Sequence, residues 1–200
     1  MTDFTIHTPS TAPSGSQERL SEIKRNWGFV PKLQGILAES PVALKAYDDT
    51  FNLIAAEGLL DAIDIQVVYQ AINVFHGCKY CTAGHTFLSL KAGVPESVIS
   101  AIRNEHVIPD ARLQALRVFA ERVAEKRGFA GDDAVSEFIA AGFTKAQVLE
   151  VVTIIAAKVI SNYTNHLTHT PLEEFMADPA LRWEDPKGRT PARAELHETA

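Results

Sequence analysis

The chain has 200 residues, 46% hydrophobic and 22% charged, with a net charge of −6. That length allows one substantial core, and the acidic balance without any Lys/Arg run leaves no basic footprint for a nucleic-acid partner. The opening M-T-D-F-T-I-H-T-P-S lacks the basic flank and apolar core of a secretory signal, and no uninterrupted apolar run nears the ~18 residues of a membrane span, so a cytoplasmic protein without a membrane partner is expected.

Residues 1–15, rich in Thr, Ser and Pro, read as an extended segment. Ser16 is placed to cap a helix over 17–26, which Trp27-Gly28-Phe29-Val30-Pro31 breaks. A short helix follows over 31–38. Ser40-Pro41 reads as an N-cap with proline at the first helical position. The helix it opens runs to about Ala56, with Leu44, Tyr47, Phe51 and Ile54 at helical spacing.

Asp61 caps a helix over 62–75 that is apolar nearly all round, the pattern of a central core helix. Its polar residues are Asp64, Gln66, Gln70 and Asn73. The last three stand at i, i+4 and i+7, hence on one face, and buried amides need partners. That face is expected to satisfy itself, to look at a polar site, or to meet a subunit. Asp64 also suits the first turn, where an acid complements the helix dipole.

His76-Gly77 turns the chain into a helix over about 79–91 that stops at Gly93. Further helices are expected over 95–104, over 111–127 behind the cap Asp110, over 132–141, and over 145–160 behind the cap Thr144. Residues 177–200 are polar and hold three prolines, which reads as a tail or an arm laid on a neighbour. No strand alternation appears, so the class is all-α, with a single domain over 16–176. A weak echo joins the helix leading into K-Y-C-T-A-G-H and the helix leading into S-N-Y-T-N-H, as two related helical halves with the chemistry kept only in the first.

The segment H-G-C-K-Y-C-T-A-G-H-T holds the chain's two cysteines, Cys78 and Cys81. In a redox reading, Cys78 starts the helix and Cys81 lies one turn in, where the helix N-terminus favours a thiolate. His85 stands four residues after Cys81, on the same side, as a base. Cys78 is then placed to resolve a sulfenic acid on Cys81. In a zinc reading, His76, Cys78, Cys81 and His85 have the right ligand types, but the spacing is compressed and Gly77 turns His76 away. A c-type haem is disfavoured because Thr82 stands where that motif needs His. In the plainest reading both thiols are buried and inert. Tyr80, between them, packs or donates a hydrogen bond. Asn165 and His166 read as structural.

The match of G-C-K-Y-C-T-A-G-H to C-x-x-C-x-x-x-H resembles the alkylhydroperoxidase D-like, peroxidase-related proteins of the carboxymuconolactone decarboxylase superfamily. The upstream W-G-F-V-P-K-L-Q-G-I-L-A-E-S-P-V-A-L-K-A-Y and the downstream N-Y-T-N-H-L-T-H-T-P-L agree in order and spacing, so the resemblance covers about residues 27–175. It implies an all-helical fold that assembles as homo-oligomers (dimers, trimers or hexamers). It also implies a peroxidatic role for Cys81, a resolving and disulfide-exchanging role for Cys78, and a place for His85 in a proton relay. Two positions depart from the pattern. Gln66 stands where the family's better studied peroxidases carry Glu, with Asp64 as an acid two residues earlier, and Tyr80 stands where they tend to have His. Glutamine cannot take and return a proton as a carboxylate can. The expected reaction is reduction of a small hydroperoxide with no bound cofactor or metal, the disulfide being re-reduced by a dithiol partner. A dithiol–disulfide reductase and a non-catalytic oligomeric binding protein are the alternatives.

Overall fold

Asp61 opens the helix around which the molecule is arranged. In the computed structural model, which describes residues 3–189, its carboxylate accepts from the Asp64 amide at 2.8 Å and starts helix α4, Ala62–Phe75. Val67, Val68, Ala71 and Ile72 are fully buried. Truncating one of these, such as Ile72→Ala, should cost about 2–5 kcal/mol. α4 packs against α5 (Lys79–Lys91), α6 (Glu96–Arg103), α7 (Ala111–Glu125) and α9 (Lys145–Thr168). α8 (Asp132–Ala140) covers α7, where Phe119, Phe138 and Phe143 stack in series.

A second cluster joins α1 (Ser14–Trp27), α2 (Lys32–Leu37) and α3 (Pro41–Glu57) to the start of α5. Cys78, Tyr80 and Cys81 belong to this second cluster, so the dithiol sits where the two halves of the core meet. No strand occurs among the described residues, and the fold is all-α as expected.

The caps Ser40, Asp61, Asp110 and Thr144 stand where the sequence puts them, Thr144 and Gln147 forming a full capping box. Three boundaries differ. α1 begins three residues early, after Pro13, whose carbonyl accepts from the Ser16 amide at 2.8 Å. Ser16 is therefore inside the helix, and its hydroxyl donates to the Ala38 carbonyl at 2.8 Å, tying α1 to α2. α9 runs on to Thr168, because S-N-Y-T-N-H contains no breaker; His169, left-handed at φ 49°, ends it. By length and composition α9 could cross a membrane, but it is a core helix that packs on α2, α3, α4 and α7. The third concerns residues 177–189. They follow a short 3-10 turn, Glu174–Ala177, and lie along α6 of the same chain, with Leu181 and Trp183 buried and the Trp183 indole donating to the Arg103 carbonyl at 2.9 Å. The remainder of that segment, 190–200, lies outside the described residues.

Candidate active site

Gly77, at φ 67°, makes the turn between α4 and α5. With a side chain this left-handed backbone would be strained. The turn is closed by Cys78 N–H donating to the Asn73 carbonyl at 2.9 Å. Cys78 thus becomes the N-cap of α5 and Cys81 lies inside its first turn. Both thiols are free and buried.

One side chain from the far half of the sequence brings the two sulfurs together. Asn165 Nδ2, on the last turns of α9, stands 3.1 Å from Cys81 Sγ and 3.8 Å from Cys78 Sγ. Burial alone pushes the Cys81 thiol up. Donation from the Cys78 thiol, the charge of Lys158, and contacts with Ser161 and Asn162 more than offset this and hold it at about 6. Cys78 moves the other way, pushed well up by burial and by its neighbour Cys81. The two thiols are therefore unequal: Cys81 is the more acidic, and Cys78 is held protonated beside it.

His85 is fixed on both ring nitrogens. Nδ1 donates to Gln66 Oε1 at 3.0 Å, and Nε2 faces Lys158 Nζ at 3.1 Å. Burial and the Lys158 charge lower its pKa well below the ordinary value, so the ring is neutral. Lys158 is fully buried, and its ammonium also lies 5.3 Å from the centroid of the Tyr69 ring. No carboxylate pairs with it among the described residues.

Gln70 and Asn73 brace the dithiol helix from behind. Gln70 Nε2 donates to Thr86 Oγ1 at 3.0 Å and to the Thr82 carbonyl at 3.3 Å; Asn73 Nδ2 donates to Gln70 Oε1 and to the Cys81 carbonyl, each at 3.2 Å. Asn162 Nδ2 donates to Asn73 Oδ1 at 3.1 Å, and His76 Nδ1 to Asn162 Oδ1 at 2.9 Å. The polar face of α4 thus both satisfies itself and, through Gln66, reaches the site. His76 turns away from the sulfurs to Asn162, as Gly77 requires. Among the described residues no cluster of three or more His, Cys, Asp or Glu side chains converges on a metal position.

Tyr80 donates to Glu173 Oε1 at 2.7 Å, and burial with the Glu173 charge raises its pKa. Glu173 Oε1 also accepts the Lys32 amide at 2.6 Å, which ties α2 to the segment after α9. Asp64 lies away from the dithiol. Its carboxylate takes a two-pronged contact from Arg112, at 2.8 and 2.6 Å, in the α4–α7 interface.

Cys81 and His85 line a pocket of about 340 Å³ whose other walls are apolar, chiefly Trp27, Phe29, Phe51, Phe87 and Phe175. Sequence reasoning missed Lys158, and Asn165, read there as structural, touches both sulfurs, so side chains of the second half reach the dithiol and His85. A signal was present. Lys158, Asn162 and Asn165 interrupt an apolar helix at i, i+4 and i+7, the same spacing as Gln66, Gln70 and Asn73.

Residues 41–126 match the model of the carboxymuconolactone decarboxylase family. No curated protein matches the chain in sequence. Among solved structures, the alkylhydroperoxidase AhpD core, an uncharacterized peroxidase-related protein from Ralstonia eutropha JMP134, superposes with a TM-score of 0.77 at 18% identity, covering 90% of this chain and 97% of its own. A peroxidase-related protein from Silicibacter sp. TM1040 gives 0.73 at 17% identity, with 84% and 90% covered. The debrominase Bmp8, as a cysteine-to-alanine variant in complex with 2,3,4-tribromopyrrole, gives 0.73 at 17%, with 90% and 98% covered. The fold is alkylhydroperoxidase D-like. The segment that matches the family model spans α3 to α7 and includes the dithiol.

Proposed function

We propose that the protein is a thiol-dependent oxidoreductase that reduces an organic hydroperoxide at Cys81. The observation that carries this reading is the inequality of the two thiols: an acidic Cys81 on the floor of an apolar pocket, with a protonated Cys78 beside it. The Cys81 thiolate attacks the peroxide oxygen, the O–O bond breaks, and the alkoxide leaves as ROH after taking a proton. The Cys81 sulfenic acid then condenses with Cys78, releasing water and forming the disulfide, which two electrons from an external dithiol or two thiols return to the reduced state.

Neutral His85, held between Gln66 and Lys158, is the group proposed to pass protons. With glutamine at position 66, Lys158 supplies the fixed charge and His85 the exchangeable site. The exposed stripe Leu149, Val152, Tyr163 and Leu167 along α9 is the proposed seat of a second copy in a homo-oligomer.

The aromatic walls of the pocket favour one second reading, taken from the debrominase neighbour: reductive removal of bromide from a bromopyrrole, two thiols being oxidised to a disulfide as C–Br becomes C–H. Intact-mass analysis of the reduced protein after brief exposure to equimolar cumene hydroperoxide, beside Cys78→Ser and Cys81→Ser, tests the first reading. Loss of two hydrogens in the wild type, a trapped sulfenic acid in Cys78→Ser and inertness in Cys81→Ser support it. Oxidation no faster than that of a free thiol overturns it, and bromide release from tribromopyrrole would then favour the second.

A further inference from the structure

The two cysteines line different cavities. Cys81 lines the apolar pocket, whereas Cys78 lines a separate cavity of about 460 Å³ bounded by His76, His166, Thr170 and Leu172. Tyr80 lines both and forms the wall between them, held in place by Glu173. Asn165 also lines the second cavity. Its Nδ2 is committed to the sulfurs, but its Oδ1, buried in a residue only 6% exposed, accepts no hydrogen bond. A buried amide oxygen without a donor costs free energy until something supplies one.

We propose that this second cavity is the binding site of the reductant, and that it takes a low-molecular-weight thiol carrying an amide N–H beside its sulfur. The proposal rests on redox use of the Cys78–Cys81 disulfide, as in the preceding reading. The amide N–H donates to Asn165 Oδ1, which places the thiol sulfur next to Cys78. Charge is not the selecting feature. The two cations at the rim, Lys79 and Arg189, are already paired, Lys79 with Glu184 and Arg189 with Glu105 and Asp185. The volume suits a small molecule.

The exchange balances as follows. The incoming thiolate attacks Cys78 Sγ, the S–S bond breaks, and the electron pair leaves on Cys81 Sγ. A second thiolate attacks the mixed disulfide, releasing the reductant as its own disulfide and Cys78 as a thiol. Attack at this sulfur expels the better leaving group, because departure is faster for the more acidic thiol. The hydroperoxide and the reductant then use different entrances, and neither blocks the other.

The test forms the Cys78–Cys81 disulfide with diamide, without any peroxide, and follows its reduction by N-acetylcysteine amide and by 2-mercaptoethanol at equal thiolate concentration. The amide thiol should saturate and react about tenfold faster, the worth of one buried hydrogen bond. Leu172→Trp and, as a second cavity-filling variant, His166→Trp should abolish that preference while leaving alkylation of reduced Cys81 by iodoacetamide unchanged. Equal rates for the two thiols, indifference to both variants, or rapid reduction by thioredoxin alone would each overturn the proposal, as would failure of diamide to form the disulfide. Because the disulfide is made without peroxide, inertness toward hydroperoxides would sink the peroxidase reading and leave this one standing.

Discussion

Lys158 Nζ lies 3.1 Å from His85 Nε2, and no carboxylate accompanies the pair among the described residues. A buried ammonium is costly, and here its partners are a neutral imidazole and the face of Tyr69. What it returns is electrostatic. It lowers both Cys81 and His85, so one cation favours an ionised Cys81 thiol and a neutral imidazole beside it.

Lys158→Met removes that charge and keeps the volume. At pH 7 a thiol near 6 is roughly nine-tenths thiolate, whereas one at the ordinary value near 8.5 is about 3%. Thiolate nucleophilicity rises with pKa and returns about tenfold of this. The alkylation rate at pH 7 should therefore fall only about threefold. The inflection of the pH–rate curve should move up from about 6 toward the ordinary thiol value. The inflection is the reading to trust, and one that stays near 6 would remove Lys158 from the account. Thermal stability should hold or rise, since a buried charge without a counter-ion has been removed.

The order of helices and four of their caps were legible because Ser, Asp and Thr caps and an apolar period of 3.6 are local signals. The dithiol and His85 were legible for the same reason, lying within one short stretch. Lys158 and Asn165 were not, because they stand 77 and 84 residues beyond Cys81 and meet it only when α9 crosses α5. The expected end of α9 at 160 also cut the helix before Asn165. Polar spacing inside an apolar helix marks α9 as it marks α4. Asp64 shows the opposite limit: its place near Gln66 in sequence suggested the site, yet half a turn of helix sends it to Arg112.

Stability should climb with pH from about 5 and peak on the alkaline side of neutral. For His85 the folded pKa is depressed, so below about 6.5 the unfolded chain takes a proton that the folded one refuses. Stability then falls on acidification by about 1.4 kcal/mol per pH unit. For Cys81, also depressed, the loss begins earlier, as pH falls from the ordinary thiol value toward about 6. Cys78 acts in the other sense: its folded pKa is raised, so above the ordinary value the unfolded chain ionises first and stability declines. Urea midpoints measured across pH 5–9 check this, and His85→Gln should make the acid limb shallower, the remainder coming from His76 and His166, which burial also lowers. A midpoint that is flat from pH 6.5 to 5 in the wild type would show that His85 is not buried neutral.

Arg112→Met should destabilise without touching the chemistry. Asp64 is fully buried and gives both oxygens to Arg112, which also lies over the Phe143 ring at 4.3 Å. Removing the arginine strands a buried carboxylate. The expected cost is about 2–3 kcal/mol by urea unfolding, below the usual figure for a wholly buried pair because Arg112 is partly exposed. Alkylation of Cys81 should keep its rate and its inflection. If Asp64→Asn slows the thiol reaction about tenfold, the acid belongs to a proton relay after all.

Gly84→Leu separates organic from inorganic peroxide. Gly84 lines the Cys81 pocket on α5, and a Cβ there would meet only the flexible end of Met176, 3.1 Å away. Leucine is the better helix former by about 0.8 kcal/mol, so the helix should not suffer. Its side chain fills space that an aromatic or long-chain substituent would occupy, while hydrogen peroxide needs only a path to the sulfur. Single-turnover oxidation by cumene hydroperoxide should slow by about tenfold or more, the cost of excluding a buried apolar group, with hydrogen peroxide changed by less than about twofold. Equal slowing of both would mean that the residue acts on Cys81 itself, and equal indifference would mean that the organic substituent does not enter through this pocket.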